Sequence, residues 1–410
     1  MIGTLSISVS LRFLTIVTNA SLLAWFSREM SNYDFNIWAF VSSATVFVLA
    51  LDFGLSNYVR NSLVTSFSHT QFFTIFNFLL FNSLFVGASL SFLLFFDISW
   101  SDQMFYLLVS IGLLYLRVPF YIAIFGYFSF KEDFLYYTTE FLLAFCSSVI
   151  SLAVFYLTSN LIYSIISYFL SGSIVAMLSY IYFINRRGWL CSFKFTTMNL
   201  LFLKDALSLS KSFFSLQVLS SLLHFLPLFL VSLYINLLDS ALIRGVYILG
   251  QTILSFHLIW VFRFWRESTV LSHDIKTNQA DIMVFKKKIN VLHLEVLKLI
   301  AVFTLFYVFS PFVFDIWLNI SQVDPFILFF LSLWLLGIGI CNVYSMFFNG
   351  ISKPSMISYS LIVGLVSAFL LVLVLFKFGI LGISISFAFG SLISAFILYR
   401  KLSLFFAVSP

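Results

Sequence analysis

SMISYSLIVGLVSAFLLVLVLF at 355–376 and GILGISISFAFGSLISAFILY at 379–399 stand two residues apart, and neither holds a charged side chain. About twenty consecutive apolar residues cross the hydrocarbon of a bilayer as one helix, so the two runs read as neighbouring transmembrane spans joined by Lys377-Phe378. The same criterion, carried along the rest of the chain, gives spans at 5–26, 34–56, 71–96, 104–128, 134–157, 160–184, 207–236, 240–264, 290–318 and 325–349. The expected fold class is an all-α polytopic membrane protein of twelve helices. Pro227 and Pro311 fall inside two of the longer runs, where a missing backbone donor predicts a kink.

Composition leads to the same place. Of 410 residues, 61% are hydrophobic, 20% aromatic and 9% charged, and the mean hydropathy is +1.07. A soluble chain carries roughly a quarter charged residues, and one with so few could not cover a water-facing surface. No polar stretch is long enough for a catalytic domain outside the membrane, so function has to be built from helices inside it, and most enzyme classes are set aside. The opening run MIGTLSISVSLRFLTIVTNASLLAW lacks the basic head and small-residue cleavage site of a secretory leader and reads as a retained first span. Cys146, Cys191 and Cys341 are too scattered for a disulfide framework or a metal cluster, and no cofactor is expected. The net charge of +6 is spread thinly and speaks to membrane orientation rather than to nucleic acid.

Lysine and arginine concentrate in alternate loops. Even-numbered loops hold Arg60; Lys131; Arg186, Arg187, Lys194 and Lys204; Arg266, Lys276, Lys286, Lys287 and Lys288; and Lys353, with Arg400 and Lys401 after the last span. Odd-numbered loops hold Arg28 and, at helix edges, Arg244 and Lys377. Cytoplasmic loops retain positive charge, so both termini are expected in the cytoplasm. The longest connections are 185–206 and 265–289, and the first divides the spans six and six. The expected organisation is an N-terminal six-helix lobe at 1–190, a cytoplasmic connection at 191–206 and a C-terminal six-helix lobe at 207–410, with a central cavity between the lobes, as in transporters built from parallel repeats. Asp34 and Arg60 bracket the second span much as Asp239 and Arg263 or Arg266 bracket the eighth.

An ionisable side chain at mid-bilayer costs on the order of 3 kcal/mol, so such residues mark wet or paired interiors. Arg12 lies in the first span, Arg117 in the fourth two residues before Pro119, Glu140 in the fifth, His224 in the seventh and His257 in the eighth. Arg117 reads as an anion-binding group, as the ion-pair partner of Glu140, the one clear acid inside a span, or as a side chain snorkelling toward the cytoplasmic face. Arg12 is near enough to the cytoplasmic edge to snorkel. The two histidines have no metal-ligand spacing. Phe262, Phe264 and Trp265 interleave with Arg263 and Arg266, which reads as an aromatic interfacial belt or as a lipid-phosphate site. Gly382, Ser386 and Gly390 permit close helix packing. Asp52-Phe53-Gly54 matches a kinase tripeptide without any of the accompanying kinase motifs. No GxxxxGK[ST] occurs, so ATP is not hydrolysed here by a P-loop, and the drive comes from a gradient, a partner chain or the supply of substrate. The residues do not choose between H+ and Na+ as a coupling ion.

The string YDFNIWAFVSSATVFVLALDFGLSNYVRN, at 33–61, resembles the signature region of Wzx-type O-antigen and polysaccharide flippases, within the superfamily that includes the multidrug and toxin extruders. There an aromatic-rich half-helix ends in a D-[FLY]-G-[LI] turn followed by Asn or Arg. Asp52, Phe53, Gly54, Leu55, Asn57 and Arg60 occupy those positions here. Trp265-Arg266-Glu267 and Asn349-Gly350 are similar to the family as well. The resemblance implies a MATE-like fold and a flippase that carries undecaprenyl-diphosphate-linked oligosaccharide from the cytoplasmic to the periplasmic leaflet of a bacterial inner membrane. It also implies membrane lipids as surroundings and a polysaccharide polymerase and chain-length regulator as partners.

A diphosphate needs cationic groups in a watery path, and the candidates are Arg12, Arg60, Arg117, Arg263 and Arg266. Arginine suits the task through its fixed charge and bidentate fork. Asp52, Gly54, Asn57 and Glu140 are candidates for structural or coupling roles, with Asp52 either a helix cap or a pair for Arg60. The rival readings are a polymerase or lipid-linked-sugar glycosyltransferase, which the short external loops disfavour, and a multidrug exporter, which would want an acidic cavity.

Overall fold

The computed structural model describes the chain apart from residues 1, 32, 36, 39, 42–51, 66–67, 96–101, 131, 190–198, 235–236, 277–281, 319–322, 352 and 408–410. Its helices are α1 (Ile2–Glu29), α2 (Leu55–Thr65), α3 (His69–Phe95), α4 (Asp102–Tyr115), α5 (Val118–Ser129), α6 (Asp133–Thr158), α7 (Leu161–Arg186), α8 (Leu200–Tyr234), α9 (Leu237–Lys276), α10 (Ile282–Leu318), α11 (Pro325–Gly350), α12 (Pro354–Leu375) and α13 (Gly379–Ala407). The described residues between 33 and 41 are helical as well. Among the described residues nine helices are long and apolar enough to cross a membrane, or ten when one bent pair is counted as a span. One of the nine, Pro354–Leu404, is two antiparallel passes. The chain reverses at Gly379, where φ is +62°, and Ser394 Oγ donates across to the Ser360 carbonyl at 3.0 Å. The protein is an all-helical, multi-pass membrane protein.

Three boundaries read from hydropathy move. The run predicted at 34–56 is broken at Asp52–Gly54, and α2 starts afresh at Leu55, so Arg60 lies inside a helix and not in a loop. The Asp52 carboxylate causes the restart by accepting the N–H of Gly54 at 2.8 Å and of Ser56 at 3.0 Å, which satisfies donors that a helix N-terminus leaves open. The span predicted at 104–128 is two helices, α4 and α5, bent by 51°. Pro119 in the first turn of α5 has no N–H to continue the ladder from α4. The connection predicted at 265–289 shrinks, because α9 runs to Lys276 and α10 begins at Ile282. Apolarity ends where a helix leaves the lipid, but its hydrogen-bond ladder does not.

The two internal prolines do not break their helices. Each withdraws the donor owed to the carbonyl four residues earlier, and each orphaned carbonyl finds another. Trp334 Nε1 in α11 donates to the Leu223 carbonyl at 3.2 Å, four residues before Pro227, and Ser310 Oγ donates to the Tyr307 carbonyl at 3.1 Å, four before Pro311. Trp334 is fully buried. Trp334→Phe is therefore expected to cost about 1–3 kcal/mol by leaving a buried carbonyl unmade. Pro227→Ala in the same chain should restore most of that loss by returning the backbone N–H. Thermal unfolding in detergent of the two single variants and the pair checks this, and equal losses in Trp334→Phe and the pair would contradict it.

The chain forms two compact units, Met1–Phe214 and Ser215–Pro410. In the first, α2, α3, α5 and α7 close on an aromatic core in which Phe76 stacks on Tyr180 with ring centroids 4.2 Å apart. The first turns of α8 belong to it through Ala206, which is buried in that core. In the second, α11 packs against α9, α10 and α13 and has no charged residue along its length.

Candidate functional site

The break between α4 and α5 places Arg117 at the head of α5. Its backbone N–H still reaches the Leu114 carbonyl at 2.9 Å, and its own carbonyl accepts from Phe120 at 3.1 Å. The side chain turns back over its own helix. Its Nη2 donates to the Tyr121 hydroxyl, and the guanidinium carbon lies 4.7 Å from the centre of the Tyr121 ring. Opposite stands Gly172 of α7, where an added Cβ would sit 3.1 Å from Arg117 Nη1 and 2.9 Å from Ser147 Oγ. A side chain there would press on the guanidinium and on the Ser147 hydroxyl. Among the described residues no carboxylate pairs with Arg117, and its Nε is buried without an acceptor.

Glu140 takes a different partner from the one read in the sequence. It pairs with Arg12 at 3.8 Å, both side chains being 22% exposed, because α1 packs against α6. Arg60 is buried at 4% exposure, with its guanidinium carbon 4.5 Å from the Phe125 centroid and 4.8 Å from that of Phe128. Ser129 Oγ donates to the Arg60 carbonyl at 3.0 Å and ties α2 to α5. Tyr136 lies within electrostatic reach of Glu140, Arg60, Arg12 and Asp133, and Tyr121 within reach of Arg117 and Glu140. Arg12, Arg60, Arg117 and Glu140 thus share one neighbourhood of the first unit, linked through tyrosines.

The other sequence candidates lie elsewhere. Asp52 is the cap of α2, the structural one of its two roles. Gly54, at φ +74°, is where α8 crosses, and a Cβ would come within 2.5 Å of both Phe214 N and Ser210 O. Asn57 is half-buried in the first turns of α2. Arg263 and Arg266 are on α9, but their side chains, like that of Asp239, lie outside the described residues. Trp265 is buried, at 4% exposure, and is no part of an interfacial belt. Its turn of α9 packs on Gly350, where a Cβ would approach the Trp265 carbonyl to 2.6 Å.

Sequence reasoning missed Tyr121, although its place one helical turn after Arg117 is a contact spacing. It also missed Ser147 and Gly172, which only the fold brings to Arg117. Glu140 is not the one acid inside a span. Glu295 of α10 is buried as well, inside the span predicted at 290–318.

No protein-family model matches the chain, and no curated protein matches it in sequence. Solved structures do match its fold. A mutant of the Vibrio cholerae MATE transporter VcmN superposes with a TM-score of 0.70 at 14% identity, over 98% of this chain and 96% of that one. A MOP superfamily transporter from Pyrococcus furiosus, whose report describes reverse polarity of its binding pocket and suggests a different function, gives 0.73 at 10% identity, over 98% and 94%. An outward-facing multidrug resistance MATE family transporter gives 0.69 at 12%, over 98% and 95%. The fold is that of MATE transporters of the MOP superfamily.

Proposed function

We propose that the chain is a membrane transporter for an anionic amphiphile, and that the cargo is an undecaprenyl-diphosphate-linked oligosaccharide repeat unit moved from the cytoplasmic to the periplasmic leaflet of a bacterial inner membrane. Both termini are then cytoplasmic, and a polymerase and chain-length regulator receive the product. Arg117 carries the reading. It is a guanidinium among spanning helices, at a helix break of the kind transporters use for binding sites, with a hydroxyl and a ring as partners and no carboxylate among the described residues. A charge left in that state is costly, and an anion repays the cost. Arg12 and Arg60 add positive potential to the same neighbourhood, Glu140 cancels one charge, and the surrounding tyrosines offer faces for sugar rings. Rocking of the two units, with the α4–α5 bend taking up the change, would expose the site to each leaflet in turn.

A second reading has its own support. One of the solved neighbours is named as a multidrug resistance MATE family transporter and another as a MATE transporter, and those comparisons fit a multidrug exporter better than an O-antigen flippase. Against it stands the basic excess around Arg117, and the Pyrococcus furiosus protein, described as having a pocket of reversed polarity, is a precedent for a change of charge within one fold.

Proteoliposomes separate the two. A fluorescent polyprenyl-diphosphate oligosaccharide should become accessible to a membrane-impermeant quencher from the far leaflet only when the protein is present, whereas ethidium should not move. Movement of ethidium without movement of the diphosphate would overturn the proposal in favour of the exporter.

A further inference from the structure

The second unit holds a charged cluster that the arginine site does not use. His257 of α9 and Glu295 of α10 lie within the spans Leu242–Val270 and Asn290–Trp317. His257 Nε2 is 3.0 Å from Glu295 Oε2, and Lys298 Nζ donates to Glu295 Oε1 at 2.7 Å. All three line a cavity of about 400 Å³ whose other walls are apolar and include Phe256, Trp260 and Leu299.

We propose that His257, Glu295 and Lys298 form a proton-exchange site, in which His257 takes a proton from water in this cavity and returns it there. Glu295 is buried, and Lys298 Nζ already donates to its Oε1, so the ion pair is complete without the histidine. An ionised carboxylate only accepts hydrogen bonds, so the ring proton sits on Nε2 and the second proton binds at Nδ1. The cluster then alternates between a net charge of zero and plus one. Imidazole is the side chain whose ordinary range puts that change near neutral pH.

Among the described residues few other groups bear on it. α10 presents Glu295 and Lys298, while His293 on that helix bonds the Tyr344 hydroxyl at 3.2 Å instead. α11, packed against both helices, has Cys341 and Tyr344 as its titratable groups and no charge. The site depends on nothing about the cargo, and a proton gradient acting through it would supply the drive that a chain without a P-loop needs.

Histidine-labelled protein in nanodiscs tests it by NMR between pH 5 and 9. The chain has five histidines, so loss of one signal in His257→Gln identifies the resonance. That signal should titrate in a single step. In Lys298→Met, with the competing positive charge gone, the midpoint should move up by about one pH unit, a tenfold gain in proton affinity. In Glu295→Gln it should move down. The Lys298 side chain is 55% exposed, so its variant folds and decides the matter even if the Glu295 variant does not. A His257 signal that stays constant across the range, or a midpoint that Lys298→Met leaves in place, would overturn the assignment.

Discussion

Gly54→Val is expected to leave little folded protein. The residue sits at φ +74°, where a β-branched side chain is excluded, and left-handed backbone costs other L-residues roughly 1–2 kcal/mol. To this is added a collision that cannot relax locally. The Cβ would lie 2.5 Å from two backbone atoms of α8, Phe214 N and Ser210 O, so a helix, and not a rotamer, would have to move. Overpacking of that kind adds about 1–3 kcal/mol or more. The total, roughly 2–5 kcal/mol, is at its upper end comparable to the whole stability of a marginal domain. Size-exclusion chromatography and thermal unfolding of the detergent-solubilised protein should show aggregate for valine and a folded but weakened protein for alanine. A valine variant that elutes and melts like the parent would show that α8 does not approach here.

Asp52 gives the companion control. If it caps α2 through Oδ1 and Oδ2, Asp52→Asn keeps one acceptor and loses less than Asp52→Ala, whose cost is about 1–2 kcal/mol. If it were an ion-pair partner of Arg60, the two variants would lose equally.

These two residues also show where sequence suffices and where it stops. The turn at Asp52-Phe53-Gly54-Leu55 was implied by the resemblance alone, while hydropathy carried the span across it, although glycine is favoured at positive φ and a short acid satisfies open N–H groups. The crossing of α8 against that turn could not be read at all, because nothing local to Gly54 specifies a neighbour more than 150 positions away. The spans were legible for a simple reason: an apolar run of bilayer length has few other uses. The breaks inside them were not, because both sides of the α4–α5 bend are equally apolar and hydropathy averages across it. Length beyond the membrane was hidden for the opposite reason, since α9 continues as a polar helix that looks like a loop. Prolines gave only half their message. Pro227 announces an orphaned carbonyl, but whether a kink follows depends on Trp334, more than a hundred residues on.

The candidate site divides in the same way. Charges inside spans are rare enough to pick out from sequence, so Arg12, Arg117 and Glu140 were named before any geometry. Their pairing was not, because it depends on which helices touch, and α1 rather than the α4–α5 break faces Glu140. Gly172 carries no chemistry of its own. It matters only as the space a guanidinium occupies, a property that belongs to the packing of α7 on α6 and α5.

That space yields the sharpest test of Arg117. A structural arginine and a cargo-binding arginine respond to removal in opposite senses. Among the described residues Arg117 has no carboxylate partner, only one hydroxyl and one ring, so Arg117→Met should leave stability unchanged or raise it by about 1 kcal/mol, as at sites where function is kept at the expense of stability. Transport of the diphosphate should fall at least about tenfold, the loss of one charge-assisted contact worth about 1.5–3 kcal/mol. Arg117→Lys keeps the charge but not the planar fork, and should fall between. Gly172→Val should reproduce the transport defect while keeping the arginine, since its side chain fills the space of Nη1. Combined with Arg117→Met it should add little, because the group it displaces is already gone. Melting curves and proteoliposome flipping rates for the parent and these four variants decide the case. A large stability loss in Arg117→Met, or full additivity with Gly172→Val, would make Arg117 a brace for α5 and remove it from the path of the cargo.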